Sequence, residues 1–348
     1  MTGDRVRLAR IGLGLSQQQL AARVGVSRQA IAAIEAGSFD PSLKVAIALA
    51  RALGSGVEEL FSPVVEYPEV MATSIAPDLD APRAQFGDVG GQTVALPLAG
   101  DHSLTVGFGA ADASVRDGGH QGVRLIPNRE AASALIVAGC DPALALLPSI
   151  IAHLDPHLEC VWWPSSNAEA LALLAGGLVH VAGFHVADGA PVPAVDAELF
   201  RFARWREGVA FRDVWPTGVT VRQGLRLANR QPGSEARRMV DELIVDLGLT
   251  NDEVTGYPSS VSAHALVGSA LAAGLADFGV TTEPVALTFG LDFHTRALED
   301  FLLAIPAAFV ATPAVRVLFR ALTGQEFRSQ LSAIRGYLEV ERSGEPIA

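Results

Sequence analysis

The chain has 348 residues, of which 49% are hydrophobic and 18% are charged, and its formal net charge is −12. This length predicts two or three domains, the composition excludes global disorder, and the acidic balance argues against a protein that coats nucleic acid along its whole length. No apolar run reaches the ~18–20 residues that cross a bilayer, and no apolar segment of the secretory type follows the N-terminus. We therefore expect a cytoplasmic protein with no membrane partner.

The charge is distributed unevenly along the chain. Residues 1–62 carry seven basic and five acidic side chains, a net charge of +2, which leaves −14 for the remainder. This asymmetry indicates that only the N-terminal part meets a polyanion. The two cysteines, Cys140 and Cys160, match no metal-ligand spacing, and from the sequence we expect neither a metal nor a cofactor.

Residues 4–61 show the apolar spacing of several short helices. Ser16 with Gln19 three residues later predicts a capping box at a helix start, and Gly54 predicts the end of a fourth helix. Within this part, residues 17–36 (QQQLAARVGVSRQAIAAIEA) have the pattern of a helix-turn-helix. Ala21 is small enough for two helices to cross closely, and Gly25 permits the positive φ that the turn requires.

The segment 17–36, with GLSQQQLA before it and AGSFDPSL after it, resembles the Cro/C1-type (XRE) helix-turn-helix family over about 60 residues. The resemblance implies that the second helix enters the major groove of an operator by its first turn, Ser27, Arg28 and Gln29. Gln17 would hold a phosphate or brace Gln29. Further candidates for contacts with the DNA backbone are Arg10, Ser38 and Lys44. Otherwise these residues are ordinary solvated side chains. Because a net charge of +2 gives weak binding alone, we expect a homodimer on double-stranded DNA.

Three segments follow from the changes of pattern along the chain. Residues 1–62 form the all-α DNA-binding domain, and residues 63–130 form a linker (62–82) with a small β-rich part (83–126). Residues 131–348 form a two-lobed α/β domain with buried parallel strands at Leu135–Val137, Val161–Trp163 and Val179–Gly183. A second βα series occupies 226–230, 234–248, 259–274 and 276–280.

Four loops in this domain follow strands and precede helices, which is where small ligands and anions bind in α/β folds. They are AGCDPAL (138–144), PSSNAEAL (164–171), NRQPGSEAR (229–237) and YPSSVSAH (257–264). The candidate ligand-binding residues in these loops are Cys140, Asp141, Ser165, Ser166, Asn167, Arg230, Gly233, Ser234 and His264. Helix capping is the alternative role for the serines and the asparagine. Cys140 has no His or acid patterned around it, and of Trp162 and Trp163 one would be core and the other would line the cleft.

The ordered pieces SALIVAGCDPAL, LALLAGGLVHVAGFHVAD, ARWREGV, LANRQPGSEARRMVDEL, HALVGSALAAGLADFGV and RGYLEVERSGE resemble the type II periplasmic-binding-protein-like (PBP-like) domain of cytoplasmic molybdate-responsive regulators, over 133–345. The resemblance implies a pocket between the lobes that closes on a ligand. It also makes His185 and His264 candidates, each either a ligand contact or a structural histidine. The family usually has Gly-Ser-Gly-Thr-Arg where this chain has Gly233-Ser234-Glu235-Ala236-Arg237. If Glu235 faces inward, it repels an oxyanion by about 4 kcal/mol at ~4 Å.

No Walker loop, GxSxG elbow or HExxH motif occurs in the sequence, so it indicates a binding protein and not an enzyme. The leading interpretation is a one-component transcriptional regulator whose PBP-like domain senses a small-molecule effector, an oxyanion being one candidate. Two alternatives stay open. The PBP-like domain has lost its ligand and serves dimerisation or a protein partner, or the chain is a cleft enzyme that regulates its own gene.

Overall fold

A computed structural model describes residues 2–61, 69–79, 81–100, 110–116, 121–124 and 133–347. The chain divides into two units, Met1–Pro68 and Glu69–Ala348. The described part of the first unit is helical, and the second unit combines two β-sheets with helices. The strands of the predicted β-rich segment therefore belong to the same unit as the α/β domain.

The first unit is built from short helices, as the sequence predicts. Their bounds are α1 (Thr2–Gly12), α2 (Gln17–Val24), α3 (Arg28–Glu35), α4 (Leu43–Leu53) and α5 (Val57–Phe61). The predicted capping box is confirmed, because Ser16 Oγ accepts from the Gln19 amide at 3.2 Å and Gln19 Oε1 accepts from the Ser16 amide at 2.8 Å. The predicted helix end is also confirmed, since Gly54 caps α4 with φ of 67°.

The second unit begins with a six-stranded sheet in the order β1-β6-β5-β3-β4-β2. Its strands are β1 (Glu69–Met71), β2 (Thr73–Ser74), β3 (Arg83–Val89), β4 (Gln92–Pro97), β5 (Ala113–Arg116) and β6 (Gln121–Arg124). The short strands predicted over 83–126 are confirmed, but the predicted linker is wrong in part. Residues 62–68 of it lie outside the described residues, while β1 and β2 pair into the sheet. Their short length and the prolines around them concealed the strands from the sequence pattern.

The larger sheet has eight strands in the order β12-β11-β13-β10-β14-β9-β7-β8. Its strands are β7 (Ser133–Gly139), β8 (Leu158–Pro164), β9 (Val181–Ala187), β10 (Glu198–Phe211), β11 (Leu227–Arg230), β12 (Ser260–Val261), β13 (Phe278–Thr282) and β14 (Asp292–Ile305). Strand β7 pairs in parallel with β8 and β9, and β11 pairs in parallel with β12 and β13. These two parallel groups confirm the predicted lobes and their strands, the third strand beginning two residues later than predicted.

The two lobes are joined by long antiparallel strands that the sequence pattern did not reveal. Strand β10 pairs with β14 over nearly its whole length, while β14 also pairs with β9 in the first lobe and β10 with β13 in the second. The register between β10 and β14 shifts at Glu207/Gly208. A Cβ added to Gly208 would lie 2.1 Å from the carbonyl oxygen of His294, so the bulge requires glycine.

Helices cover the sheet and supply the rest of the core. They are α6 (Leu147–Leu154), α7 (Asn167–Ala175), α8 (Gly218–Arg222), α9 (Glu235–Asp246), α10 (His264–Ala272), α11 (Glu283–Thr288), α12 (Ala307–Val310), α13 (Pro313–Thr323) and α14 (Gln325–Ala333). Short 3-10 segments lie at Pro142–Leu146, Asn251–Glu253 and Val340–Arg342. Across the described ranges, none of the helices combines the length and apolarity that a membrane span requires.

Candidate functional site

The first candidate site is the exposed first turn of α3. Gly25 ends α2 in the left-handed conformation with φ of 77°, and Ser27 caps α3 by accepting from the Ala30 amide at 3.1 Å. Ala21 and Ile31 are buried where α2 and α3 pack, which confirms the predicted helix-turn-helix packing. Ser27, Arg28 and Gln29 are all exposed on this turn. The structure therefore leaves their side chains accessible, and their contacts with DNA remain a prediction.

A buried ion pair fixes α3 against α1. Glu35 accepts from Arg10 Nε at 2.6 Å and from Arg10 Nη2 at 3.0 Å, and Arg10 Nη1 donates to the Leu15 carbonyl at 2.7 Å. Gln17 Nε2 donates to the same carboxylate at 2.9 Å. In this structure Arg10 is thus engaged within the protein and is not a free cation for a phosphate. Gln17 braces Glu35, not Gln29 as one prediction had it, because its side chain reaches the C-terminal end of α3.

Ser38 and Lys44 lie on exposed positions near the C-terminal end of α3 and the start of α4. Ser38 Oγ donates to the Ala33 carbonyl at 3.1 Å, so its hydroxyl caps α3 and can still accept a hydrogen bond. The predicted contacts of Ser38 and Lys44 with the DNA backbone stay predictions.

The second candidate site is a cavity of about 580 Å³ in the second unit. Parts of the smaller sheet, the loop after β8 and the loops after β11 and β12 supply its walls. Its polar lining includes Asp78, Ser165, Glu169, Gln231 and Ser262. Two of these residues come from one lobe and two from the other, so the cavity lies between the lobes.

The other predicted ligand-binding residues are not among those that line the cavity, and several of them cap helices. Asp141 Oδ1 accepts from the Ala143 amide at 2.8 Å, Ser166 caps α7 and Ser234 caps α9. Gly233 is exposed with φ of 83° in the turn before α9. Capping is therefore an observed role of these side chains, as the alternative interpretation had it. Asn167 instead holds the backbone of His185 by two hydrogen bonds of 3.0 and 3.1 Å.

The prediction that one tryptophan is core and the other lines the cleft is wrong, because Trp163 does both and Trp162 is only half-buried. Trp163 lines the cavity and is 5% exposed, while the Trp162 indole donates to the Gly139 carbonyl at 2.9 Å. Arg230 is buried, and its guanidinium donates to the Ser262 carbonyl at 3.0 Å and to Gln231 Oε1 at 3.3 Å. Arg230 thereby holds two residues that line the cavity.

Below these loops lies a buried polar cluster of Cys140, His185, Glu207, His264 and Glu299, which we call the hinge cluster. Each of the five is at most 6% exposed. His185 Nδ1 lies 3.1 Å from Glu299 Oε2 and 3.9 Å from Glu207 Oε2, and His264 Nε2 lies 3.9 Å from Glu207 Oε1. The interpretation of Cys140 as a thiol without His or acid neighbours is therefore wrong, because His185 and His264 approach it from other elements.

Burial and mutual charge set the protonation of the hinge cluster. Burial raises the pKa of the Glu207 carboxyl to about 7. Burial alone would lower the pKa of His185, but Cys140, Glu299 and Glu207 beside the ring outweigh it and raise that pKa well above its usual value. Burial and the nearby Arg230 and His185 charges hold the pKa of His264 well below its usual value. The two imidazoles are therefore inequivalent, because their pKa values are shifted in opposite directions.

A second polar group surrounds Asp141. Its carboxylate accepts from the Trp205 indole at 2.7 Å and from the Tyr337 hydroxyl at 2.5 Å, and it is fully buried. Burial raises the pKa of Asp141, while these donors oppose the rise. The side chain predicted to contact ligand thus ties the loop after β7 to β10 and to the C-terminal segment.

Glu235, which raised the question of anion repulsion, is paired. Its carboxylate forms an ion pair with Arg238 on the next turn of α9, and this hydrogen bond lowers the pKa of Glu235 despite partial burial. The side chain is 30% exposed. Its charge nevertheless adds to that of Glu207, whose pKa it helps to raise, so the surroundings of the hinge cluster are acidic.

Sequence reasoning missed Glu207 and Glu299, the two carboxylates of the hinge cluster. Both lie on the long strands β10 and β14, which the pattern did not reveal. The usable signal was a pair of adjacent charged residues beside an apolar run in WREGVAF and in LEDFLLAI, but only the fold shows that Glu207 and Glu299 are buried.

Two family models match this chain. Residues 6–60 match the helix-turn-helix model, and residues 150–323, half of the chain, match the PBP superfamily domain. An uncharacterized HTH-type transcriptional regulator of Methanocaldococcus jannaschii is 51% identical over 47 residues, 14% of this chain and 71% of that protein. A second from Methanothermobacter thermautotrophicus is 51% identical over 57 residues, 16% of this chain and 83% of that protein. The uncharacterized protein YvgK of Bacillus subtilis is 27% identical over 126 residues, 36% of this chain and 40% of YvgK.

Solved structures resemble the two parts separately. The restriction-modification controller protein C.AhdI from Aeromonas hydrophila has 38% identity and a TM-score of 0.17, covering 17% of this chain and 91% of that one. An ABC-type phosphate transport receptor from Vibrio cholerae has 11% identity and a TM-score of 0.40, covering 59% of this chain and 99% of that one.

Proposed function

This chain belongs to the PBP superfamily and carries the helix-turn-helix domain of HTH-type transcriptional regulators, and on that premise we propose that it is a one-component regulator that binds an operator as a homodimer and senses a small molecule. The observation that carries the proposal is the exposed first turn of α3, with Ser27, Arg28 and Gln29 presented on a helix that two neighbours brace. Arg pairs bidentately with guanine and Gln with adenine in the major groove. Action on DNA places the chain in the cytoplasm in this proposal.

The effector site we propose is the cavity between the lobes. Ser262 Oγ is buried and has no hydrogen-bond partner among the described residues, so a ligand that donates or accepts there would satisfy it. The described lining includes the acidic Asp78 and Glu169 and no Lys or Arg. A neutral or cationic effector suits these walls better than the oxyanion that the sequence resemblance implies, since like charges repel in a partly desolvated site.

Coupling between effector and operator requires that the effector bind two states of the second unit with different affinity. We propose that it binds the state with closed lobes better. No catalytic step enters this proposal, because binding alone supplies the coupling free energy.

The test is a binding titration with a fragment of the protein's own promoter at several salt concentrations. We expect Arg28→Ala and Gln29→Ala each to reduce discrimination between operator and random DNA by ~1–3 kcal/mol per lost base contact. Arg316→Ala is the charge-matched control, because Arg316 is exposed on the second unit. Unchanged discrimination in both α3 variants would refute the assignment of α3 as the reading helix.

The effector site has a separate test. A thermal-shift panel of metabolites should raise the Tm of the wild type, and Ala76→Trp should abolish that rise, because Ala76 lines the cavity and is half-buried. A panel in which no compound stabilises the wild type would instead favour the alternative that the domain serves dimerisation or a protein partner.

A further inference from the structure

The hinge cluster brings the donor atoms of five metal-ligating side chains together from five different elements. Cys140 follows β7, His185 lies on β9, Glu207 on β10, Glu299 on β14, and His264 begins α10. One ligand atom from each of Cys140, His185 and His264 can be chosen so that all lie within 4.8 Å of one another, and the same holds for His185, Glu207 and Glu299. Because the two sets share His185, they form one continuous group.

The spacing is close to that of a metal shell. Ligand atoms bonded to one tetrahedral ion at ~2.0–2.3 Å lie roughly 3.3–3.8 Å apart. The distances of 3.1 Å from His185 Nδ1 to Glu299 and of 3.9 Å from His185 Nδ1 and His264 Nε2 to Glu207 bracket that range.

Unmet hydrogen-bonding capacity provides an independent argument. Glu207 is 0% exposed, and neither of its carboxylate oxygens accepts a hydrogen bond from any described residue. Glu299 is 1% exposed, and its Oε1 likewise has no donor within the described part of the chain. Three buried carboxylate oxygens without a donor are costly unless a cation compensates them beyond what His185, which contacts Glu299 Oε2, supplies. Arg230 contributes positive charge nearby, and its guanidinium also hydrogen-bonds to Ser262 and Gln231.

The surrounding residues orient the ligands as outer-shell partners do. Thr281 Oγ1 donates to the His264 carbonyl at 3.1 Å and lies 3.5 Å from His264 Nδ1, from which it can accept, which leaves Nε2 to face Glu207. Asn167 fixes the backbone of His185 on both its N–H and its C=O. Metal-bound histidines characteristically use one ring nitrogen and have the other held in this way.

We propose that Cys140, His185, His264 and Glu207 bind one divalent transition-metal ion of the zinc class, with Glu299 as a fifth donor or as a partner of His185. A mixed sulfur, nitrogen and carboxylate set selects such ions over Ca²⁺ and Mg²⁺, which prefer oxygen ligands alone. Cys140 binds as the thiolate and His185 as the neutral imidazole, and the protons that these two groups lose pass to solvent. The proposal is independent of operator binding and of the cavity ligand.

The test uses the purified full chain, stripped with a chelator and titrated with Zn²⁺ against a chromophoric competitor, and with Co²⁺ as a spectroscopic probe. We expect one ion per chain and a near-ultraviolet thiolate-to-cobalt charge-transfer band. Cys140→Ser should remove the band and weaken Zn²⁺ binding by about 100-fold or more, since loss of an outer-shell partner alone costs about 10–100-fold. Thr281→Val should fall in that smaller range.

Cys160→Ser is the matched control, because Cys160 is a buried cysteine on β8 that belongs to neither ligand set. It should keep both the band and the affinity. X-ray absorption of the zinc-loaded wild type, which needs no variant to fold, should show one sulfur and several nitrogen or oxygen neighbours.

Three results would overturn the proposal. They are no wild-type binding at micromolar Zn²⁺, a shell without sulfur, and wild-type affinity in both Cys140→Ser and His264→Gln. No DNA enters this experiment and no metal enters the operator titration, so failure of one leaves the other standing.

Discussion

Removal of Glu35 should destabilise the first unit more than any other single change on its surface or in its polar contacts. Glu35→Ala leaves the Arg10 guanidinium, whose side chain is only 12% exposed, without its carboxylate partner and with the Leu15 carbonyl as the acceptor for Nη1. Breaking a buried pair in this way costs ~3–5 kcal/mol. A unit of this size holds only about 3–9 kcal/mol in total. The substitution should therefore consume most of the stability of α1–α3.

The assay is hydrogen exchange of the full chain, read by mass spectrometry on peptides from α1–α3 and on peptides from the larger sheet. Exchange in the first set should accelerate by a factor corresponding to ~3–5 kcal/mol of opening free energy, and exchange in the second set should not change. Glu58→Ala is the control, because it removes an exposed carboxylate from the same unit. It should shift opening by at most about 1 kcal/mol.

A double variant shows how much of the lost stability comes from leaving one charge buried without its partner. Replacing both partners, Arg10→Leu with Glu35→Leu, should restore much of the lost stability, because apolar residues of similar volume need no counter-charge. The reasoning fails if Glu35→Ala exchanges like the wild type, or if the double variant is as unstable as the single one.

This pair also predicts a pH dependence with a definite sign. Burial would raise the pKa of Glu35, but the hydrogen bonds from Arg10 and Gln17 outweigh it and lower that pKa below its ordinary value. The stabilisation is then complete above the ordinary glutamate pKa and disappears as the pH falls through the lower native value. In Glu35→Ala this acid-dependent loss should be absent.

Three further predictions concern the second unit, which contains all four tryptophans and can be followed by their fluorescence in urea. Burial lowers the pKa of His180 to about 4, so the free energy of unfolding should be highest above pH ~6.5 and fall by about 3 kcal/mol towards pH ~4. His180→Gln should flatten this pH profile, and an unchanged slope would mean that His180 is not the titrating group. Tyr337→Phe removes a donor to the buried Asp141 carboxylate and should cost ~1.5–3 kcal/mol, whereas a loss below about 0.5 would mean that water replaces it. In Gly183→Ala the new Cβ would lie 2.6 Å from the Phe301 ring, and the substitution should cost ~1–3 kcal/mol of unfolding free energy. If adding Phe301→Leu to Gly183→Ala recovers no stability, the clash with Phe301 is not the cause.

Local signals explain why the first unit could be predicted in detail. The capping box of Ser16 and Gln19, the positive φ of Gly25 and the cap at Ser27 each depend on residues at most four apart. The parallel strands of the two lobes were predictable for a similar reason, since buried strands read as short apolar runs. Such features depend only on residues that are close together in the sequence.

The hinge cluster could not be predicted, because its five residues are spread over the sequence from position 140 to position 299. Cys140 and Glu299 are far apart in the sequence, and both come close to His185 only because β7, β9 and β14 are consecutive in one sheet. The pattern also gave no hint of the long strands, because Arg201, Arg204, Arg206 and Glu207 interrupt the apolar residues of β10. His185 and His264 were identified as candidates through resemblance, but their mutual proximity follows from topology alone.

The bulge at Glu207/Gly208 has a mechanical consequence. Strands β10 and β14 run without a break from one lobe to the other, so the lobes cannot rotate about a flexible loop, and any opening must be absorbed as twist in a pair of hydrogen-bonded ribbons. The register also shifts between Arg201 and Ala203, so the shift at Glu207/Gly208 is one of two points where that ribbon is already irregular. Torsion would therefore concentrate at these points, and an interaction that immobilises Glu207 would stiffen the connection between the lobes.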